Sequence, residues 1–323
     1  RATSDRIAMD IGLLVYLSLW YLGNYYYNIF NKLGAKASGG AEYAFTLAWF
    51  QLVVGSLYAL FLWFAPEARP KPKMTFAQVM KFAPLGFFAA AAHAGAVFAM
   101  SAGAVSFGQI VKAAEPAFAA STGYIFYGST VSKAKVAMLI PIIGGIVIAS
   151  AEELDFTIAA LLAGCTANVA SAFRGAENKR VMADPALKEA VGGAGNVYAI
   201  TTLWATVFLF PVIFISGEYA KLDSFKKMWA EDGLPGKSDL KWNTLMSGLT
   251  FYLYNEVSTL ALKKISGVTC APRVHTRRAL LALSCCPVPL LERRAQRCPR
   301  WRQGGRAAPH WRASDACVPS LHP

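Results

Sequence analysis

Lys112 is the residue of this chain best placed to do chemistry. It lies in the run Ser106-Phe107-Gly108-Gln109-Ile110-Val111-Lys112-Ala113-Ala114-Glu115-Pro116, with apolar sequence on both sides. A cation carried into hydrocarbon costs about 2.5 to 3.5 kcal/mol even on insertion scales, so such a lysine either snorkels to an interface or serves a buried anion. Glu115 follows within one turn, and Pro116 removes an amide that would otherwise pair with a carbonyl near Lys112, which loosens the helix there. His93 sits in the middle of another apolar run, where every other residue from Ala89 to Ala96 is Ala or Gly. It is either a packed structural histidine or the wall of a cavity, because small residues let helices approach closely or leave space. The tight connection Gly103 to Ser106 sets its helix antiparallel to the one bearing Lys112. Tyr254 belongs to a third polar point, Phe251-Tyr252-Leu253-Tyr254-Asn255-Glu256, whose face must line a cavity or a helix contact rather than lipid. Tyr252 is read as packing or as part of that face.

The other polar residues near the apolar runs have plainer readings. Tyr25, Tyr26, Tyr27 and Asn28 end the first run and are expected to form an interfacial aromatic belt. Arg174, Lys179 and Arg180 follow the sixth run and serve as topology determinants, with Arg174 also a candidate for a substrate or gate contact. No catalytic constellation is visible. The body of the chain has a single histidine and lacks G-x-S-x-G, G-x-x-x-x-G-K-[ST] and H-E-x-x-H, which excludes a hydrolase of these types and an ATP-driven pump for this chain alone. No metal site and no cofactor are expected. A cation-bearing polar cavity inside a helical bundle suits passage of a small anion.

The elements that must hold these residues follow from composition. Of 323 residues, 55% are hydrophobic and only 16% charged, against roughly a quarter charged in soluble domains, so the fold class is an all-α integral membrane protein. A bilayer core needs about 20 apolar residues per helix. Eight runs approach this: 9–30, 43–65, 82–104, 107–128, 134–151, 156–176, 196–217 and 243–262. With the sides alternating, thirteen basic loop residues lie on the N-terminal side against seven opposite, which predicts that the N-terminus faces the cytosol-like or stroma-like side. The loop from Ser216 to Trp242 is an interfacial amphipathic stretch or an ordinary polar loop. Asn31-Lys32 after the first run and Asn178-Lys179 after the sixth hint at an internal repeat.

From Cys270 onward the chain changes character. This stretch holds ten Arg and no Lys, five of the six Cys and seven of the sixteen Pro. Of the formal charge of +13, +8 belongs to it and +5 to residues 1–269, so net charge says little about partners. Arg without Lys, with Pro and Cys, is the composition expected of a shifted frame or intron read-through, and residues 270–323 are read as an aberrant tail. Ala279 to Leu291 is too short and proline-broken to make a ninth span. Only Cys165 lies in the body, so no disulfide framework is expected there.

Three stretches taken together resemble a known family. Tyr27-Asn28-Ile29-Phe30-Asn31-Lys32, then His93 with Val105 to Phe118, then Tyr252-Leu253-Tyr254-Asn255-Glu256 are similar to the plastid triose-phosphate/phosphate translocators of the drug/metabolite transporter superfamily, over essentially all of residues 9–269. The resemblance implies ten helices in two inverted five-helix halves. Residues 9–151 would be the first half and 156–269 an incomplete second half of three helices. It implies strict exchange of triose phosphate, or a related phosphorylated three-carbon metabolite, for inorganic phosphate. Lys112 would hold the phosphate together with a Lys-Arg pair on the ninth helix, while His93 and Tyr254 contact the rest of the substrate. Arg277-Arg278 fall at about the spacing of that pair without matching its flanks. Ala96 and Gln109 stand where many members carry a polar residue and a histidine, which blurs substrate choice. Fixed cations without a mobile counterion make the empty carrier costly to reorient, and a bound dianion neutralises them.

The resemblance further implies a multi-pass protein of the plastid inner envelope whose partners are phosphorylated metabolite, phosphate and lipid, with no nucleic acid and with a homodimer as a conceivable assembly. The competing transport reading is a nucleotide-sugar, phosphoenolpyruvate or other sugar-phosphate carrier. A different class, a nucleic-acid-binding membrane protein, would use the Arg-rich tail as an electrostatic arm. With three helices of the second half in place, the chain as written is expected to be inactive.

Overall fold

A computed structural model describes residues 2–103, 105–128, 157–232 and 239–269, with scattered helical positions between 137 and 148. These all fall in the first of two units into which the chain divides, Arg1–Cys286 and Pro287–Pro323. Among the described residues there is no strand. The helices are α1 (Ala2–Ala37), α2 (Ala44–Phe64), α3 (Phe76–Met80), α4 (Ala83–Ala102), α5 (Val105–Lys112), α6 (Glu115–Tyr127), α7 (Ile158–Met182), α8 (Pro185–Val191), α9 (Ala194–Ile215), α10 (Leu222–Glu231) and α11 (Leu240–Thr269). Four spans, Gly40–Phe64, Phe76–Ala102, Ile158–Met182 and Ala194–Ile215, are long and apolar enough to cross a membrane. The helices α1 and α11 are longer still, but Tyr and Asn dilute their apolar content. The expected fifth run, 134–151, falls largely outside the described residues, and the tail 270–323 wholly so.

Side by side, α1 runs along α11 and α4 along α7, while α9 packs on both α4 and α2, and α11 on α2. Small residues set these distances, because lipid gives helices no hydrophobic reason to associate and close packing must do so instead. A Cβ added at Gly23 would lie 2.7 Å from the Cβ of Tyr254, one at Gly86 2.1 Å from that of Trp204, and one at Gly95 2.8 Å from the Ala163 carbonyl oxygen. The α1–α11, α4–α9 and α4–α7 contacts therefore each depend on a missing side chain.

The run 107–128, expected as one span, is two helices. The first ends at Lys112, Ala113 and Ala114 make a turn, and the second starts at Glu115 with Pro116 in its first turn. Proline is comfortable there because first-turn amides have no intrahelical partner. The loop 216–242 contains the amphipathic helix α10, whose Phe225, Met228 and Trp229 pack on Tyr43, Leu47 and Phe50. Its apolar side is thus spent against the bundle. Just before it, buried Glu218 accepts the backbone amides of Phe45 at 2.9 Å and Thr46 at 2.7 Å, placing an anion at the N-terminus of α2 where the helix dipole favours one.

Candidate anion-binding site

Six helices converge on one polar region. His93, 5% exposed, lies in the second half of α4 with its ring centroid 4.0 Å from that of Phe251 on α11. Neither ring nitrogen makes a well-formed hydrogen bond, although the Ala48 backbone lies beside the ring. A buried imidazole without a partner is unusual in a packed interior, where nearly every polar atom is satisfied. Lys112, the last residue of α5, and Arg174 of α7 both act electrostatically on this ring. Lys112 is exposed in the structure, not sealed into packing. Arg174 is half-buried, and among the described residues no carboxylate pairs with it.

Tyrosines complete the surroundings. Tyr254 is 5% exposed, and its ring centroid stands 5.5 Å from Tyr27 of α1, which in turn is 5.3 Å from Phe251. The ring of Tyr198 of α9 lies 5.0 Å from that of Tyr252, tilted by 51°, and within electrostatic reach of Arg174 and Tyr254. The helical period explains the selection on α1: Leu13, Tyr27, Asn31 and Ala35 lie on its buried stripe, whereas Tyr25 and Tyr26 turn outward at 62% and 43% exposure. Tyr27 is therefore not part of an interfacial belt. Asn28 also turns inward, accepting from Gln109 Nε2 at 3.0 Å.

The break between α5 and α6 matters for Lys112. A transporter site commonly sits where a membrane helix is interrupted, since the freed backbone groups and helix-end dipoles act on the bound ion. Here the last carbonyls of α5 gather at Lys112, and a C-terminal cation is favoured by the helix dipole.

Of the residues singled out in the sequence, the structure thus brings Lys112, His93 and Tyr254 to one region. Arg277 and Arg278 lie outside the described residues. Glu256 has a separate occupation: it forms an ion pair with Arg69, from the loop after α2, whose guanidinium also reaches Tyr252 Oη and the Gly195 carbonyl at 3.4 Å each. Nothing in the sequence ties a loop arginine to a carboxylate 187 residues away. Tyr27 and Tyr198 are additions made by the structure, while Arg174, a candidate substrate or gate contact in the sequence, lies within electrostatic reach of His93 and Tyr198. At the opposite end of the bundle Lys32 donates to the carbonyls of Met100 at 3.0 Å and Gly103 at 2.6 Å, closing the C-terminus of α4. Asn178 and Lys179, the suspected counterparts of Asn31 and Lys32, are exposed and lie inside α7 before its end at Met182.

Two cations beside a buried imidazole and several hydroxyls can hold a compact, doubly charged anion by charge-assisted hydrogen bonds. Among the described residues no group of His, Cys, Asp and Glu could hold a metal ion. Comparison with known proteins agrees with this chemistry. The sequence profile of the Triose-phosphate Transporter family matches residues 11–285, ending within the stretch that follows Thr269. A xylulose 5-phosphate/phosphate translocator of Arabidopsis thaliana is 30% identical over 281 residues, covering 87% of this chain and 64% of the relative. A non-green-plastid triose phosphate/phosphate translocator of Brassica oleracea var. botrytis is 29% identical over 85% of this chain and 65% of the relative. Phosphoenolpyruvate/phosphate translocator 3 of Oryza sativa subsp. japonica is 31% identical over 77% and 61%. The chain spans less than two thirds of the length of each of these relatives.

Proposed function

The chain belongs to the Triose-phosphate Transporter family, and from that premise we propose that it exchanges a phosphorylated metabolite for inorganic phosphate across a plastid envelope membrane. The observation that carries this reading is the buried His93 ring packed 4.0 Å from Phe251, which in turn stands 5.8 Å from Tyr254, with Lys112 and Arg174 within electrostatic reach of it and no carboxylate opposing Arg174 among the described residues. Phosphate would sit against Lys112, and the carbon skeleton against His93, Tyr254 and Tyr27. Arg174 would take the second charge. Arg277 and Arg278 are the candidates for a further cationic pair. The preferred metabolite is a triose phosphate or a close three-carbon relative. The relatives include translocators of xylulose 5-phosphate, phosphoenolpyruvate and glucose 6-phosphate, which makes a wider sugar-phosphate range the second reading.

The helix pairing supports a division into two inverted halves, 9–151 and 156–269. If α7 repeats α1 and α11 repeats α4, then the α1–α11 and α4–α7 contacts are images of one another, as a pseudo-two-fold requires. An empty site holding two fixed cations inside the bundle is costly to move through the bilayer, and a bound dianion lowers that cost, which couples reorientation to occupancy and gives obligatory exchange.

The test is labelled-phosphate uptake into liposomes. It is run on this chain and on a continued carrier, in which the segment a relative carries beyond Thr269 follows that residue. Uptake by the continued carrier is expected only when the vesicles contain phosphate or a sugar phosphate. A nucleotide sugar should fail to compete. Entry into empty vesicles at the same rate would overturn strict exchange, and displacement of phosphate by a nucleotide sugar would move the protein to that branch of the superfamily.

A further inference from the structure

We propose that Asn168 is the positioning residue of the anion site, setting where Lys112 stands. Asn168 lies in α7 and is 3% exposed. Its side-chain amide donates to the Val111 carbonyl at 2.7 Å. That carbonyl belongs to the peptide group joining Val111 to Lys112, so the bond grips the backbone from which the lysine projects. The donor assignment follows from chemistry, since a carbonyl can only accept. The grip falls at a place that needs one. The α5 helix stops at Lys112, Ala113 and Ala114 form the turn, and Pro116 has no amide to offer the Lys112 carbonyl.

Two further observations make α7 the reference frame for this peptide. A Cβ added at Gly164, one turn before Asn168, would lie 2.7 Å from Val111 Cγ1, so α7 and the end of α5 are in direct contact. On an adjacent face α7 meets α4 closely at Gly95, where an added Cβ would lie 2.8 Å from the Ala163 carbonyl and 3.1 Å from Ala167 Cβ. Arg174 is carried by the same helix and His93 by α4. Asn168 thereby ties the cation on the broken helix to the helix bearing the second cation and to the one bearing the imidazole. A neutral carboxamide does this without adding charge. An apolar residue in its place would leave the Val111 carbonyl held only by the Ala114 amide at 3.1 Å.

This inference rests on the phosphate reading for its functional meaning, and the experiment separates the two. Purified chain carrying Asn168→Leu, which keeps the bulk and removes the donor, is compared with the parent and with Asn168→Gln, which keeps the donor. One readout is titration with inorganic phosphate. The other is the rate at which an amine-acylating reagent labels Lys112 relative to the exposed Lys73 and Lys188, followed by mass spectrometry. Asn168→Leu is expected to bind phosphate about ten-fold more weakly and to shift the relative labelling of Lys112 several-fold, with Asn168→Gln close to the parent. Labelling of Lys112 and phosphate affinity both within two-fold of the parent in Asn168→Leu overturn the proposal, even if thermal stability falls. Should that variant not fold, Asn168→Ser, whose shorter hydroxyl stops short of the carbonyl, makes the same comparison. If the parent itself binds no phosphate, the labelling ratio alone decides whether Asn168 positions Lys112, and the phosphate reading is decided separately by the continued carrier.

Discussion

Lys112, His93 and Tyr254 were visible in the sequence for one reason: polar groups in apolar runs are costly, and that cost singles out residues without any knowledge of the fold. Tyr27 was not visible, because three consecutive tyrosines offer three directions about 100° apart and only neighbouring helices decide which is inward. Arg174 carried a weak signal, since a charge near a predicted span end reads equally as topology. Replacing Lys112 with Gln is expected to abolish phosphate transport while membrane insertion is retained or eased. The dianion loses a charge-assisted partner worth about 1.5 to 3 kcal/mol, whereas insertion no longer carries the cation. Transport within a few-fold of the parent, measured at matched expression, would refute the assignment. His93→Ala should be milder and should weaken the sugar phosphate more than phosphate itself, as read from paired competition curves. Tyr27→Phe keeps the packing on Tyr254 and removes only the hydroxyl. It should lower sugar-phosphate affinity by about 0.5 to 1.5 kcal/mol, while the same change at the outward Tyr25 and Tyr26 should be silent. A silent Tyr27→Phe would remove that hydroxyl from the site.

At the scale of elements, apolar length and periodicity located the helices well, because spanning a bilayer imposes both. What they could not locate was the interruption at Ala113 and Ala114. A proline in a long apolar run permits a kink, a break or a new first turn, and the choice here depends on how α7 meets Val111. Long-range polar ties were equally hidden. The Arg69–Glu256 pair joins the loop after α2 to α11, with side chains only 14% and 10% exposed. Removing one partner of a largely buried pair typically costs about 3 to 5 kcal/mol, because the other charge is left without compensation, whereas apolar replacement of both is often far milder. Glu256→Ala should therefore lower the unfolding midpoint in detergent markedly, and Arg69→Met with Glu256→Leu should recover much of the loss. Equal destabilisation by the single and double changes would show that the ion pair is not what matters there. Packing makes a second prediction. Gly86→Ala puts a methyl where Trp204 Cβ stands, and overpacking of that kind costs about 1 to 3 kcal/mol. A midpoint unchanged by Gly86→Ala would mean that α4 and α9 separate without cost.

For the whole molecule, the account is that fixed positive charge inside a bundle of paired helices makes an empty carrier reluctant to reorient and a loaded one free to do so. Family membership was legible because three polar motifs retain their order along residues 27–256, each constrained by the same buried chemistry. The choice among sugar phosphates was not, since the partners of a side chain such as Gln109, which bonds to Asn28 of another helix, are set by packing that spacing along the chain does not reveal. The most direct measurement is phosphate counter-exchange by the continued carrier in liposomes, alongside its Lys112→Gln variant. The account predicts uptake of labelled phosphate only into vesicles loaded with phosphate or a sugar phosphate, and none in either case for Lys112→Gln. Equal uptake into empty vesicles, or exchange that survives the loss of Lys112, would contradict it.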